Sequence, residues 1–330
     1  MKLDWRLVMI MVLSLGLMVG CTSDDDEEIV PVGTFDDVST YMQDNGLDLP
    51  AMLTDWVIPA SSVIDTNDYQ TVPDYTVLDI RDAATFAAGH IDGAINTSLG
   101  DILTVVEANA AGTSGYLIVC VTGQTAGHAT MALRLMGYEA KVLKFGMCGW
   151  NEHFATNWNA NAGHENGNKI TDNANWVYTA APAVETYEYP DWESVNTDGA
   201  AILVERVEAA IVDGFMTAGA TTVLGAPENY QILNYWVEAD YLTFGHFDGA
   251  YQLNPISLAG DEITAIDPGN ESAVYCYTGQ TSSMVTFWLN VLGYDASSIL
   301  YGVNTLNYDP LAAAGKPNWH GAADYNWVEG

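Results

Sequence analysis

The chain has 330 residues, 49% of them hydrophobic, which is enough for two domains of ordinary size with a core each. Nine basic residues stand against 43 acidic ones, and the formal charge of −34 argues against nucleic acid or an anionic membrane surface as partner, since both need a basic patch. The same field works against long-range capture of anionic substrates.

Lys2 and Arg6 precede an apolar run, Leu7 to Val19, that is too short for a comfortable membrane span and reads as an export signal over residues 1–20. The following Met18-Val19-Gly20-Cys21 resembles a bacterial lipobox, in which the cysteine is lipidated and becomes the mature N-terminus; an ordinary signal peptide with a chance cysteine is the alternative. Residues 21–33 form an acidic tether, with Thr22 to Glu28 unable to bury anything. Thr22 after the cysteine, rather than Asp, resembles the pattern of enteric lipoproteins sorted to the outer membrane. The expected location is therefore the bacterial cell envelope, lipid-anchored, facing the periplasm or the surface.

From residue 34 the pattern alternates. Phe35 to Asn45 predicts a helix, Trp56 to Ile58 and Thr76 to Ile80 predict strands, and Ala83 to Ala88 predicts a short helix. Ala94 and Ile95 continue the sheet, and Ile102 to Ala111 predicts another helix. Short apolar strands alternating with helices imply an α/β fold with a mainly parallel sheet, whose ligands bind beyond the carboxyl ends of the strands. Tyr116 to Val119 is a buried-strand run, and Cys120 stands where it ends. After the polar turn Val121 to Thr125, Ala129, Leu133 and Met136 fall on one helical stripe, closed by Gly137 at a C-cap position. A cysteine in a loop feeding a helix N-terminus faces N–H groups and a dipole that favour the thiolate, so Cys120 is expected to have a depressed pKa; a packed core cysteine is the plainer reading.

The stretch recurs. Cys-x-Thr-Gly-Gln-Thr occupies 120–125 and again 276–281, and the same offset of 156 residues carries His90 onto His246, Asp92 onto Asp248, Gly137 onto Gly293 and Gly146 onto Gly302. Asn157 to Asn173 lacks an apolar period and reads as an irregular excursion; its oxygen-bearing side chains do not follow a calcium-loop pattern. Asn175-Trp176-Val177 recurs as Asn326-Trp327-Val328, which suggests that each copy closes with the same tail. The expected boundaries are 34–179 for the first domain, 180–190 for a linker and 191–330 for the second domain.

The segment Val77 to Asn96, VLDIRDAATFAAGHIDGAIN, resembles the strand, helix and Gly-His-Ile-x-Gly-Ala signature of rhodanese domains, and Leu143-x-x-Gly146-x-x-x-Trp150 resembles the end of one. The resemblance implies two tandem rhodanese-like domains, each a mainly parallel sheet flanked by helices. It also implies a sulfurtransferase with Cys120 as nucleophile and Cys276 as a second candidate, working through a persulfide without metal or organic cofactor. Val121, Thr122, Gly123, Gln124 and Thr125 would ring the transferred sulfur with neutral donors, as would Tyr277, Thr278, Gly279, Gln280 and Thr281 in the second copy. His128, one turn into the helix, could supply partial positive charge or be structural; Arg81 reads as an ion-pair partner of Asp79 or Asp82. A phosphatase loop is set aside because Ala126 and Ser282 stand where its arginine would be.

The second copy has drifted: aligned without gaps, Asp79 and Arg81 find no counterparts, and Trp150 becomes Leu306. Cys148 could act as a resolving thiol, although Asn304 at the matching position favours a small residue in a turn. Because neither loop carries a cation, the expected donor is a polysulfide or persulfide rather than thiosulfate, with a thiol or other nucleophile as acceptor. The rival reading is a non-catalytic rhodanese-like binding module of the envelope.

Overall fold

The computed structural model describes residues 32–330, so the expected export signal, Cys21 and most of the expected acidic tether lie outside the described residues. Among the described residues no helix is long and apolar enough to cross a membrane.

The first unit opens with helices α1 (Phe35–Asp44) and α2 (Leu49–Met52), the former started by a capping box in which the Thr34 N–H and hydroxyl donate to Asp37 at 2.9 and 3.1 Å. Then come β1 (Val57–Ile58), β2 (Thr76–Asp79), α3 (Ala83–Ala87), β3 (Ile95–Asn96), α4 (Ile102–Ala108), β4 (Tyr116–Val119), α5 (Gln124–Leu135), β5 (Ala140–Leu143), α6 (Gly146–Trp150) and α7 (Thr156–Asn161). The five strands form one parallel sheet in the order β1-β5-β4-β2-β3. All four residues of the central β4 are buried, which is why its sequence is apolar without alternation. Helix α7 falls inside the stretch expected to be irregular; Trp158, fully buried, gives that turn a tertiary anchor that no local period announces.

The second unit comprises β6 (Trp176–Val177), α8 (Gly199–Asp213), β7 (Thr217–Ala218), α9 (Ala220–Gly225), β8 (Gln231–Asn234), α10 (Glu238–Phe244), β9 (His246–Phe247), β10 (Tyr251–Gln252), β11 (Ser272–Tyr275), α11 (Gln280–Leu292), β12 (Ala296–Ile299) and α12 (Tyr308–Ala313). Its sheet, β7-β12-β11-β8-β10, is parallel and repeats the strand order of the first. The fold is thus α/β with two parallel sheets flanked by helices.

The gap-free alignment of β2 on β8 is one residue out. Asp79 pairs with Val119 and Asn234 with Tyr275 in the two ladders, and the N–H of Arg81 donates to Asp79 (3.1 Å) as that of Trp236 donates to Asn234 (3.0 Å). Asn234 and Trp236 are therefore the counterparts of Asp79 and Arg81.

The two sheets share a core. Leu78, Ile118, Cys120, Leu133 and Val142 of the first unit belong to the same buried apolar cluster as Leu233, Val274, Met284, Leu289 and Ala296 of the second. The outward sheet faces keep separate cores, around Val77, Leu117, Val119 and Trp150 in one and Ile232, Trp236, Ala273 and Tyr275 in the other. Helices α5 and α11 meet at Gly127, where an added Cβ would lie 2.1 Å from the Ser283 hydroxyl.

The recurring tails are exchanged rather than kept. Trp176 and Val177 pair antiparallel with Phe247 and His246 of the second unit, while Val328 bridges His90 of the first and the Trp150 indole donates to Asn326 O at 2.7 Å. Each tail thus closes the other copy, contrary to the expectation that each closes its own. The segment from 180 to 190 has no regular secondary structure and is mostly exposed.

Candidate active site

Cys120 directly follows β4 and is 4% exposed. Its sulfur accepts backbone N–H groups from Gly123 at 3.1 Å and Ala126 at 3.3 Å. Gly123 makes that arc possible: its φ of 84° is left-handed, and a Cβ there would sit 2.5 Å from the Gln280 side-chain oxygen. Burial nevertheless raises the Cys120 pKa above its ordinary value and outweighs the N–H groups of Ala126, Thr122 and Gly123, while the Asp79 carboxylate raises it further. This corrects the expectation of a depressed value.

Gln124 and Gln280 are not loop donors to a bound sulfur. Each is 2% exposed and crosses to the other unit: the Gln124 oxygen accepts the Tyr301 N–H at 2.7 Å, and the Gln280 oxygen accepts the Phe145 N–H at 2.8 Å. Their amide groups donate back to Thr122 (3.1 Å) and Thr278 (3.2 Å), so those hydroxyls are also engaged. The circuit closes because Phe145 and Tyr301 lead into turns whose next residues donate to the cysteine carbonyls, Met147 N–H to Cys120 O (2.9 Å) and Val303 N–H to Cys276 O (3.1 Å). Val121 packs into an aromatic cluster, and Thr125 is half-buried at the loop's end.

That cluster is what the sequence did not disclose. Phe145, Trp158, Trp319 and Tyr301 pack beside the first loop, with ring centroids 5.0 Å apart for Phe145–Trp158, 5.2 Å for Phe145–Trp319 and 5.0 Å for Trp158–Tyr301. The Trp158 indole donates to Thr122 O at 3.0 Å, fixing the loop from outside. Burial raises the Tyr301 phenol pKa, Cys148 and Cys120 add to the shift, and the Asn157 side chain opposes it. Only the offset linking Phe145 to Tyr301 was visible in the sequence.

Around this, Arg81 is held by Asp79 through Nε at 2.9 and 3.0 Å and through its terminal amine at 2.6 Å, and it also donates to Gly89 O at 2.7 Å. It is a structural ion pair. His128 lies at the seam between the units against Phe287 and Phe215, fully buried. Burial lowers its pKa to about 3; the backbones of Ala210, Ser283 and Gly214 counter this weakly, and none reaches hydrogen-bond geometry with the ring. His128 is therefore neutral and supplies no positive charge to the loop. Cys148 donates to Phe154 O at 3.0 Å and is pushed up to about 11 by burial.

The second loop differs. Cys276 is 1% exposed; its sulfur accepts the Ser282 N–H at 3.4 Å and lies 3.7 Å from the Ser282 hydroxyl. Tyr277 stacks on Trp236 and donates to Asp240, which pairs with Lys316 at 2.6 Å. Gly279 repeats the left-handed turn at φ 76°, and Thr281 is half-buried. Among the described residues no group of His, Cys, Asp and Glu could hold a metal ion.

Residues 62–153 match the Rhodanese-like domain family. The chain contains a rhodanese-like domain. The matched segment holds Asp79, Arg81, Cys120 and its loop, and it supports sulfur transfer as the general chemistry. Similar solved structures include a rhodanese-related protein from Thermoplasma volcanium, at 22% identity and TM-score 0.26, covering 30% of this chain and 92% of that one. A thiosulfate sulfurtransferase from Pseudomonas aeruginosa is 14% identical with TM-score 0.28, covering 89% of this chain and 50% of its own. A 3-mercaptopyruvate sulfurtransferase from Leishmania major is 14% identical with TM-score 0.27, covering 75% and 72%. A search of curated proteins finds no match.

Proposed function

We propose that this rhodanese-like chain moves sulfane sulfur through a persulfide on Cys120. The observation that carries the reading is the arc of N–H groups on the Cys120 sulfur at the carboxyl end of a central parallel strand. With a persulfide donor, the Cys120 sulfur attacks the outer sulfur, the donor S–S bond breaks, and the leaving thiolate takes the proton that Cys120 gives up. A nucleophilic acceptor then attacks the outer sulfur of the Cys120 persulfide and restores the thiol. Loop N–H groups stabilise the charge on whichever sulfur is anionic.

The second loop is better read as structural. Cys276 is more deeply buried, one N–H reaches its sulfur, and Tyr277 is tied down through Asp240. Cys120→Ser should therefore lower sulfur transfer by about a hundredfold or more, and Cys276→Ser by no more than about threefold. Intact-mass analysis after exposure to polysulfide should show one added sulfur, lost only with Cys120. Equal losses from the two substitutions would refute the assignment.

We further propose that Cys21 anchors the chain to the bacterial envelope by a lipid, on the strength of the n-region, the apolar run and the Met-Val-Gly-Cys sequence before the acidic tether. Cys21→Ser should shift the protein from membrane to soluble fractions. Unchanged membrane association would rule the anchor out.

A further inference from the structure

Six of the seven basic residues among the described residues have polar partners. Arg81, Lys141 and Lys316 pair with carboxylates, Arg134 and Arg206 donate to carbonyls, and Lys169 donates to the Thr305 hydroxyl. Lys144 is the exception: among the described residues its ammonium has only the face of Phe145, 5.2 Å away, and it is half-buried. In a chain with 43 acidic residues, a cation left without a counter-anion is not the expected arrangement.

Lys144 follows β5, next to the end of β1, to whose Ile58 carbonyl its N–H donates at 2.9 Å. It lines a cleft of about 310 Å³ whose other walls are Pro59 to Ser61, Phe145 and Gly149 of the first unit and His320 to Ala323 with Tyr325 of the crossing tail. This cleft lies beyond the carboxyl ends of two parallel strands, where α/β sheets place ligands. No aspartate or glutamate lines it, whereas Lys144, Ser61, His320 and Tyr325 all bring donors, with Pro59, Phe145, Ala322 and Ala323 between them. Donors and apolar surface together fit a ligand with a charged head and a short hydrocarbon body. Its volume suits a molecule of roughly ten non-hydrogen atoms.

We propose that this cleft is a binding site for a small organic anion, a carboxylate or a sulfonate, held at Lys144. The ammonium would exchange its partial compensation by the Phe145 ring for a direct ion pair. The site is closed on one side by the exchanged tail, so it exists only when the two units are assembled.

The site is tested apart from any sulfur chemistry by calorimetric titration of the Cys120→Ser chain with propionate, with ethanesulfonate and with neutral propionamide at low ionic strength. Saturable binding of one or both anions, and none of propionamide, is the expected result, and which anion binds distinguishes carboxylate from sulfonate. Lys144→Met should weaken binding by about tenfold or more, and Lys144→Arg by less than about threefold. Ala322→Glu, which brings a carboxylate into the cleft from the tail without touching Lys144, should weaken it as much as Lys144→Met. Absence of saturable anion binding, equal binding of propionamide, or indifference to both Lys144→Met and Ala322→Glu would overturn the proposal.

Discussion

Cys120 and His128 show what burial does to titratable groups that neighbours only partly compensate. For the thiol, desolvation outweighs the N–H groups on its sulfur and holds its pKa above the ordinary value, so the proposed transfer through Cys120 includes loss of the thiol proton. For His128 the same penalty falls on the protonated form, and the backbones of Ala210, Ser283 and Gly214 offset it only weakly, none of them in hydrogen-bond geometry with the ring. A folded-state pKa below the unfolded value gives stability that is present above the ordinary 6.5 and is lost as pH falls toward about 3. That loss should amount to on the order of 4 kcal/mol across the window. Urea unfolding at pH 7, 5 and 4 should show this decline in the native chain and a flatter profile in His128→Leu. Parallel profiles would mean that water reaches the ring.

The loops after β4 and β11 are not self-contained elements. Each depends on a glutamine from the other unit to hold the residue that opens the next turn, Phe145 or Tyr301, and that turn in turn donates to the cysteine carbonyl. Gln280→Leu removes the acceptor of the buried Phe145 N–H, a loss of about 1–3 kcal/mol. It should also slow persulfide formation on Cys120, although Gln280 belongs to the other half of the chain. Thermal unfolding and single-turnover mass analysis of Gln280→Leu and Gln280→Glu check this; unchanged Cys120 loading despite lowered stability would show that the clasp is structural alone. Gln124→Leu should lower stability by a similar amount through the Tyr301 N–H, with a smaller effect on transfer if Cys276 is idle.

Charge acts across the entire chain. At −34, thiosulfate, a dianion, meets long-range repulsion, and neither loop offers it a cation. Polysulfides and persulfides carry less charge for each sulfur delivered, so transfer from them should be the more efficient, and added salt should raise the thiosulfate rate by screening. Steady-state rates with both donors at low and moderate ionic strength check this. A preference for thiosulfate that does not respond to salt would place an anion-binding group at the loop, with Lys144 the first residue to substitute.

Local pattern and repetition were enough to establish β1 to β4 of the first unit, the cysteine loop and its duplication, because burial of a parallel strand on both faces dictates an apolar run such as Tyr116 to Val119, and a left-handed turn dictates glycine at 123 and 279. Arg81 as an ion-pair partner was legible for the same reason, its acid lying two residues away. The uses of Gln124, Gln280, His128 and the two tails were not legible. Their partners stand far along the chain, 177 residues away for the Gln124–Tyr301 bond and 135 for Gln280–Phe145, and no local period records which unit a side chain will face. Only assembly of the two sheets around one core decided that a polar loop residue becomes a clasp, that a histidine loses its charge, and that each copy is closed by the tail of the other.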